Sequence, residues 1–147
     1  MLNLTLPPFD YKVKKQSDVT FIFDVVRRKY VVLTPEEWVR QHVVHYLMSD
    51  KGCPLSLIAL EREIMLYGLP RRFDVVVFDR DGKPWLLIEC KAPSVMLSSQ
   101  VFDQVFRYNI SLGAPYVAIT NGVKHFCGKI DHKEGFVWLP DFPDFPK

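Results

Sequence analysis

Arg72-Phe73-Asp74-Val75-Val76-Val77-Phe78, the turn Asp79-Arg80-Asp81-Gly82-Lys83-Pro84 and the run Trp85-Leu86-Leu87-Ile88-Glu89-Cys90-Lys91 decide how this chain folds. Both apolar runs are rich in β-branched and aromatic residues, and the polar, glycine-containing segment between them reads as a tight turn, so they predict an antiparallel hairpin. Three charged residues interrupt these otherwise apolar strands. Side chains alternate along a strand, which puts Glu89 and Lys91 on one side and Ile88 and Cys90 on the other. The hairpin pairing then brings Asp74 beside Glu89. Ionised groups among Val, Leu, Ile and Trp are costly unless they are paired or hold a cation.

Two carboxylates with a lysine one step away are the donor set of a divalent-cation site for phosphodiester hydrolysis. Mg²⁺ takes oxygen ligands, commonly one or two carboxylates plus water and substrate phosphate. Asp74, Glu89 and the carbonyl of Cys90 can supply such ligands, with Lys91 offering positive charge or a proton relay beside the nucleophile. The competing reading is a solvated ion-pair ladder on an exposed sheet face. Trp85, Leu87 and Phe78 at positions of matching parity argue instead for a partly buried face.

Outward from the hairpin, Thr34-Pro35-Glu36-Glu37 is a helix start, with Thr as cap, Pro at the first helical position and Glu37 placed to close a capping box. The helix carries Trp38, Val39, His42, Val43, Tyr46 and Leu47 on a broad face and breaks near Lys51-Gly52-Cys53-Pro54. One or two strands are expected from Asp10 to Leu33, and another from Leu57 to Tyr67. A second helix opens at Ser98 or Ser99 and stops at Gly113-Ala114-Pro115. Tyr116 to Thr120 reads as a short buried strand. Asn121-Gly122 is a turn, followed by strands around Val123 to Ile130 and Phe136 to Leu139. The proline-rich tail 140–147 is expected along the surface.

At 147 residues, 48% of them hydrophobic, the chain suits one α+β domain with a real core and excludes a disordered polypeptide. Its formal charge of +2 is too small to advertise nucleic-acid binding alone. Basic residues cluster locally at Lys12, Lys14 and Lys15, at Arg27, Arg28 and Lys29, and at Arg71 and Arg72, where they can track phosphates or, for the first two clusters, protect strand edges. Cys53, Cys90 and Cys127 have no Cys-x-x-Cys spacing, which argues for reduced cytoplasmic thiols and against a zinc knuckle. Neither a signal peptide nor a membrane span is evident. His42 and His45 lack a further ligand in register, and His125 beside Cys127 is isolated, so all three read as packing or surface residues. Glu61 and Glu63 read as outward-facing strand charges, with the alternative that either turns inward and shapes the site.

The order of elements, together with Thr34 to Gln41, Arg72-Phe73-Asp74, Ile88-Glu89-Cys90-Lys91-Ala92-Pro93, Gln104-Val105-Phe106-Arg107-Tyr108 and Ile119-Thr120-Asn121-Gly122, resembles the PD-(D/E)xK nuclease superfamily. Within it the chain is most similar to the N-terminal nuclease domain of type I restriction enzyme R subunits. The likeness covers about residues 20 to 139 of a single nuclease-like domain. It implies a restriction-endonuclease-like core, a central mixed sheet flanked by two main helices with N-terminal strands and a C-terminal hairpin. It also implies that Asp74 and Glu89 ligate Mg²⁺ or Mn²⁺, that Lys91 positions or activates water, and that Glu37, or less readily Glu36, adds an acidic group from the first helix. Gln104 and Tyr108 match a motif used near the metal and the DNA backbone. Phe73 stands where the superfamily name puts proline. The implied activity is Mg²⁺-dependent DNA endonuclease, with a separate helicase, translocase or restriction-modification subunit as partner, since the sequence carries no Walker loop. The alternative is a non-catalytic DNA-binding or subunit-interaction module that retains the fold.

Overall fold

The computed structural model describes residues 3–131, 133 and 135–147, with the side chains of Leu66, Tyr108, Ile110 and Ser111 outside the description. Three N-terminal strands, β1 (Val13–Gln16), β2 (Val19–Asp24) and β3 (Lys29–Val32), form their own antiparallel sheet. The alternation of residue types alone predicts one or two strands here. The third arises because the β1–β2 turn is only Ser17-Asp18, both at positive φ (52° and 64°), the backbone signs of a tight hairpin turn.

Helix α1 (Pro35–Ser49) starts as expected, the Thr34 hydroxyl accepting from Glu37 N. The second half of the capping box does not form. The Thr34 N–H donates to Val32 O, and the Glu37 carboxylate is held elsewhere.

After a short 3-10 turn (Leu55–Leu57), six strands line up in sequence order: β4 (Ile58–Leu66), β5 (Leu69–Phe78), β6 (Pro84–Cys90), β7 (Tyr116–Thr120), β8 (His125–Asp131) and β9 (Gly135–Leu139). All neighbours pair antiparallel except β6 and β7, which run parallel and are joined by helix α2 (Ser99–Leu112). Ser98 caps α2, and Gly113 at φ 77° ends it in the left-handed conformation that a helix C-terminus favours. The mixed α+β architecture agrees with the expected restriction-endonuclease-like core.

The helices cover opposite faces of the large sheet. Val39, Val43, Val44 and Leu47 of α1 pack with Val75, Val77, Leu86 and Ile88, while Val105 of α2 packs with Val76, Leu87 and Val117. Each such side chain contributes about 1.5 to 3 kcal/mol when fully buried, against under about 1 kcal/mol for an exposed ion pair, so this double layer holds the fold. The tail departs from expectation: Phe142 and Phe145 are buried at 3% and 7% exposure. Phe145 stacks edge-on against Trp85 while its N–H donates to Lys51 O at 2.8 Å. Prolines prevented a strand there but not burial of the phenylalanines between them.

Two irregularities shape the sheet around the charged residues of β5 and β6. Glu61 adopts φ 50° in the middle of β4, and the ladder has pairs on either side of it, Leu60 with Val75 and Arg62 with Phe73. Val75 packs on the α1 face and Phe73 on the α2 face although they lie two apart, so β5 twists through Asp74. A register shift at Val77/Phe78 likewise moves Trp85 into the α1-side cluster, not onto the Leu87 face that strand parity assigned it.

Candidate active site

Asp74, Glu89 and Lys91 meet where β5 and β6 part. Val75 pairs with Ile88, which leaves Asp74 and Glu89 as the next positions of the two strands. The Cys90 N–H donates to Asp74 Oδ2 at 2.8 Å, fixing that carboxylate. Lys91 Nζ stands 3.7 Å from Glu89 Oε1, and the Lys91 N–H donates to Thr120 O at 2.8 Å, which ties the end of β6 to the end of β7. Burial first, then the neighbouring Asp74 charge, pushes the Glu89 carboxyl up to about 8, with Lys91 pulling the other way. Near neutrality the Glu89 carboxyl therefore keeps its proton. Glu89 and Lys91 line a small cavity of about 100 Å³ with Arg72, Phe73, Val101, Gln104 and Val105. Gln104 of α2 is thus brought to the pair. The Tyr108 side chain lies outside the described residues.

Glu37 sits in a different company. Its Oε1 accepts from Arg27 Nη2 at 2.9 Å and from Arg40 Nη2, and its Oε2 accepts from Arg40 Nε at 2.9 Å and Gln41 Nε2 at 3.0 Å. Burial alone would raise this carboxyl, but the donors from Arg40 and Gln41 outweigh it and hold it below the ordinary carboxylate range. Gln41 is fully buried, and its amide must turn Nε2 toward Glu37, leaving Oε1 unpaired. Glu36, one residue earlier, is raised by burial and by the Asp74 charge and lowered by Lys91, so it feels the charges of the site. One residue on a helix is a rotation of about 100°, which separates these two glutamates onto different neighbours.

An ion-pair network drawn from several elements lies beneath the site. Arg27 binds buried Asp24, Glu37 and Glu61, the last at 3.2 Å. Arg40, 5% exposed, binds Glu37, approaches Glu61 at 3.4 Å, and lies 3.7 Å from Asp74 Oδ1. The left-handed turn at Glu61 carries its carboxylate to both arginines, so this residue, though still exposed, is not a purely solvated strand charge. Nor is Arg27 part of a solvated basic edge. These partners are separated in sequence by up to tens of residues, and the local hints were the i, i+3 spacings of Asp24 with Arg27 and of Glu37 with Arg40.

The remaining candidates are engaged in packing. His42 Nδ1 shares a hydrogen bond with Trp38 O at 2.8 Å and stacks edge-on with Phe9, while His45 stacks on Phe9. His125 bridges Thr5 and Thr120. Asn121 donates to Val95 O at 2.8 Å and accepts from Val123 N and Lys124 N, which closes the turn and pins the loop after Lys91. Cys90 is buried in the α1-side core, and burial raises its thiol well above the ordinary value. Among the described residues, no group of three or more His, Cys, Asp or Glu side chains is gathered as a metal cluster. No described helix is long and apolar enough to cross a membrane.

This fold is that of a mixed-sheet domain similar to a solved fragment described as an HsdR subunit of a type I restriction enzyme from Vibrio vulnificus. The two share 24% identity and a TM-score of 0.52 over 76% of this chain and 24% of that one. The chain therefore spans about a quarter of the length of that relative. The family described as type I restriction enzyme R protein N terminus matches residues 35–143, and the chain belongs to it. No curated protein matches the chain.

Proposed function

We propose that the chain is a Mg²⁺-dependent DNA endonuclease domain that hydrolyses phosphodiester bonds through Asp74, Glu89 and Lys91. The observation that carries this reading is the carboxylate pair at the parting of β5 and β6, with the Glu89 carboxyl pushed up to about 8 beside Asp74. Two carboxylates that crowd until one keeps a proton are a donor set a hard divalent cation fits, since it replaces that proton and removes the repulsion. Two carboxylates suffice for Mg²⁺, whose other places go to water and phosphate.

Asp74, fixed through Oδ2 by the Cys90 N–H, and Glu89 would hold Mg²⁺ or Mn²⁺, with Glu36 adding negative charge from α1. The ion, when bound, would neutralise charge on the phosphate and acidify a water. Lys91, 3.7 Å from Glu89 Oε1, orients the attacking water and offers positive charge beside the scissile phosphate. Gln104, on the cavity wall, hydrogen-bonds the substrate backbone, and Tyr108 is assigned the same role by its spacing on α2. Glu37 acts through Arg40 as a support for Asp74. In this reading the domain works in the cytoplasm within a restriction-modification assembly that includes a helicase or translocase motor.

Incubating the purified chain with plasmid and single-stranded DNA, with and without Mg²⁺ or Mn²⁺, tests the proposal. Metal-dependent nicking that disappears in Glu89→Ala and on chelation is expected. Cleavage that persists in either case overturns it. One observation favours a second reading, a non-catalytic module: Arg40 lies 3.7 Å from Asp74 and already supplies part of the countercharge a metal would bring. Titration calorimetry separates the two, because the module shows no Mg²⁺ heat at millimolar concentration with or without DNA.

A further inference from the structure

The β4–β5 hairpin is longer than the sheet needs. β5 pairs with β6 only from Val75 to Phe78, so among the described residues Leu69–Phe73 have β4 as their sole ladder partner. Leu69, where the strand reaches the turn, is five positions from Asp74, which projects the hairpin about 16 Å past the candidate site at about 3.3 Å per residue. Its stem is basic: Arg62, Arg71 and Arg72 against Glu63, all exposed. Arg72 stands opposite Glu63, and Arg71 opposite Ile64. The tip is apolar, with Met65 61%, Tyr67 90% and Leu69 57% exposed.

The turn itself is unusual. Tyr67 and Gly68 are both at positive φ (51° and 78°), the backbone signs of a type I′ turn, where Asn-Gly is the favoured pair. A bulky aromatic in the left-handed region is strained. Here the strained ring is almost wholly in solvent, so no packing within the described chain compensates for it. Arg72 also lines the small cavity that holds Glu89 and Lys91. A phosphate in that cavity has a flanking strand that leads along the arginine-bearing stem.

We infer that this hairpin is a DNA-gripping arm, in which Arg62, Arg71 and Arg72 contact phosphates beside the scissile bond and the Met65-Tyr67-Leu69 tip enters a groove of duplex DNA. The inference rests on the DNA-hydrolase reading for its choice of partner. Positive charge on the stem complements the phosphate backbone, and an apolar tip on a basic ribbon suits a groove whose floor is base edges and sugars. At 3.4 Å per nucleotide along a strand, a reach of about 16 Å spans about five base pairs.

The test measures anisotropy of a fluorescein-labelled duplex against salt in EDTA, using the full chain. Arg71→Gln with Arg72→Gln should shallow the log–log salt dependence by about 1.8, or about 0.9 for each lost phosphate contact. Tyr67→Asn installs the favoured Asn-Gly turn, so the hairpin keeps its shape, and should weaken binding about tenfold without altering the slope. Wild-type affinity and slope in both variants overturn the inference, as does a change confined to self-association in ultracentrifugation. Cleavage assays separate this from the nuclease reading. If Mg²⁺-dependent cleavage is present but both hairpin variants keep the wild-type KM, the arm falls and the nuclease stands. If the hairpin variants lose DNA while no variant or wild type cleaves, the nuclease reading falls alone.

Discussion

Replacing Glu89 by Gln should stabilise the metal-free protein, and by an amount that depends on pH. Glu89 moves from an ordinary 4.5 to about 8 because burial and Asp74 disfavour its charge. An unfolded chain ionises this group near 4.5 while the folded chain keeps it protonated, so the folded state binds more protons between these values. Stability is then lost as pH rises through that window and levels off above about 8. The full lift corresponds to on the order of 5 kcal/mol, and partial solvent access to the side chain reduces this to about 2 kcal/mol. For a chain of this size that is a rise in Tm of about 4 to 8 °C for Glu89→Gln at pH 8.5. Near pH 4.5 the two proteins should melt together. The assay is differential scanning calorimetry of both proteins across pH 4.5 to 9 in EDTA. Taking the difference cancels His42, His45 and His125, whose burial holds them below 6.5 and makes the fold gain stability with rising pH. Adding Mg²⁺ should raise the Tm of the wild type at pH 8.5 and leave Glu89→Gln nearly unmoved. A Tm difference that is flat with pH, or equal stabilisation of both proteins by Mg²⁺, refutes the reasoning.

Lys91→Ala should abolish cleavage while Mg²⁺ binding by calorimetry stays within a few-fold of wild type, because the lysine acts on water and phosphate rather than as a ligand. Arg40→Met strips the buried countercharge from Glu37 and weakens the hold on Asp74; a loss of about 3 to 5 kcal/mol is expected, read as a Tm lower by about 10 °C. Phe145→Ala opens a cavity beside Trp85 and should cost about 3 kcal/mol in urea denaturation, with Trp85 fluorescence shifted to the red.

Much of the fold was legible because its signals are local. Thr34-Pro35, Ser98 and Gly113 mark helix ends through hydrogen bonds and backbone dihedrals that span a few residues. The meeting of Asp74, Glu89 and Lys91 follows from strand periodicity and one tight turn. What escaped depends on contacts between distant segments. The family resemblance singled out Glu37 for the site and capping logic gave it a local partner, yet two arginines from different elements claim its carboxylate, while Glu36 feels the Asp74 and Lys91 charges. The kink at Glu61 follows no glycine or proline. Parity placed Trp85 beside Leu87, and a register shift at Phe78 moved it to the opposite cluster. Proline spacing in the tail described its backbone but said nothing about the hydrophobic slots that receive Phe142 and Phe145.

The stretch shared with the R-protein family begins at residue 35, whereas Asp24 ends β2 and Arg27 lies in the turn from β2 to β3 before it. Glu37 therefore draws one of its two guanidinium partners from inside the shared stretch and one from outside. A graft of residues 35–143 onto another leader would leave that glutamate half-neutralised and pull Arg40 toward it, away from Asp74. Chimeras in this family should accordingly be joined upstream of residue 24, so that the electrostatic keel travels with the blade it steadies.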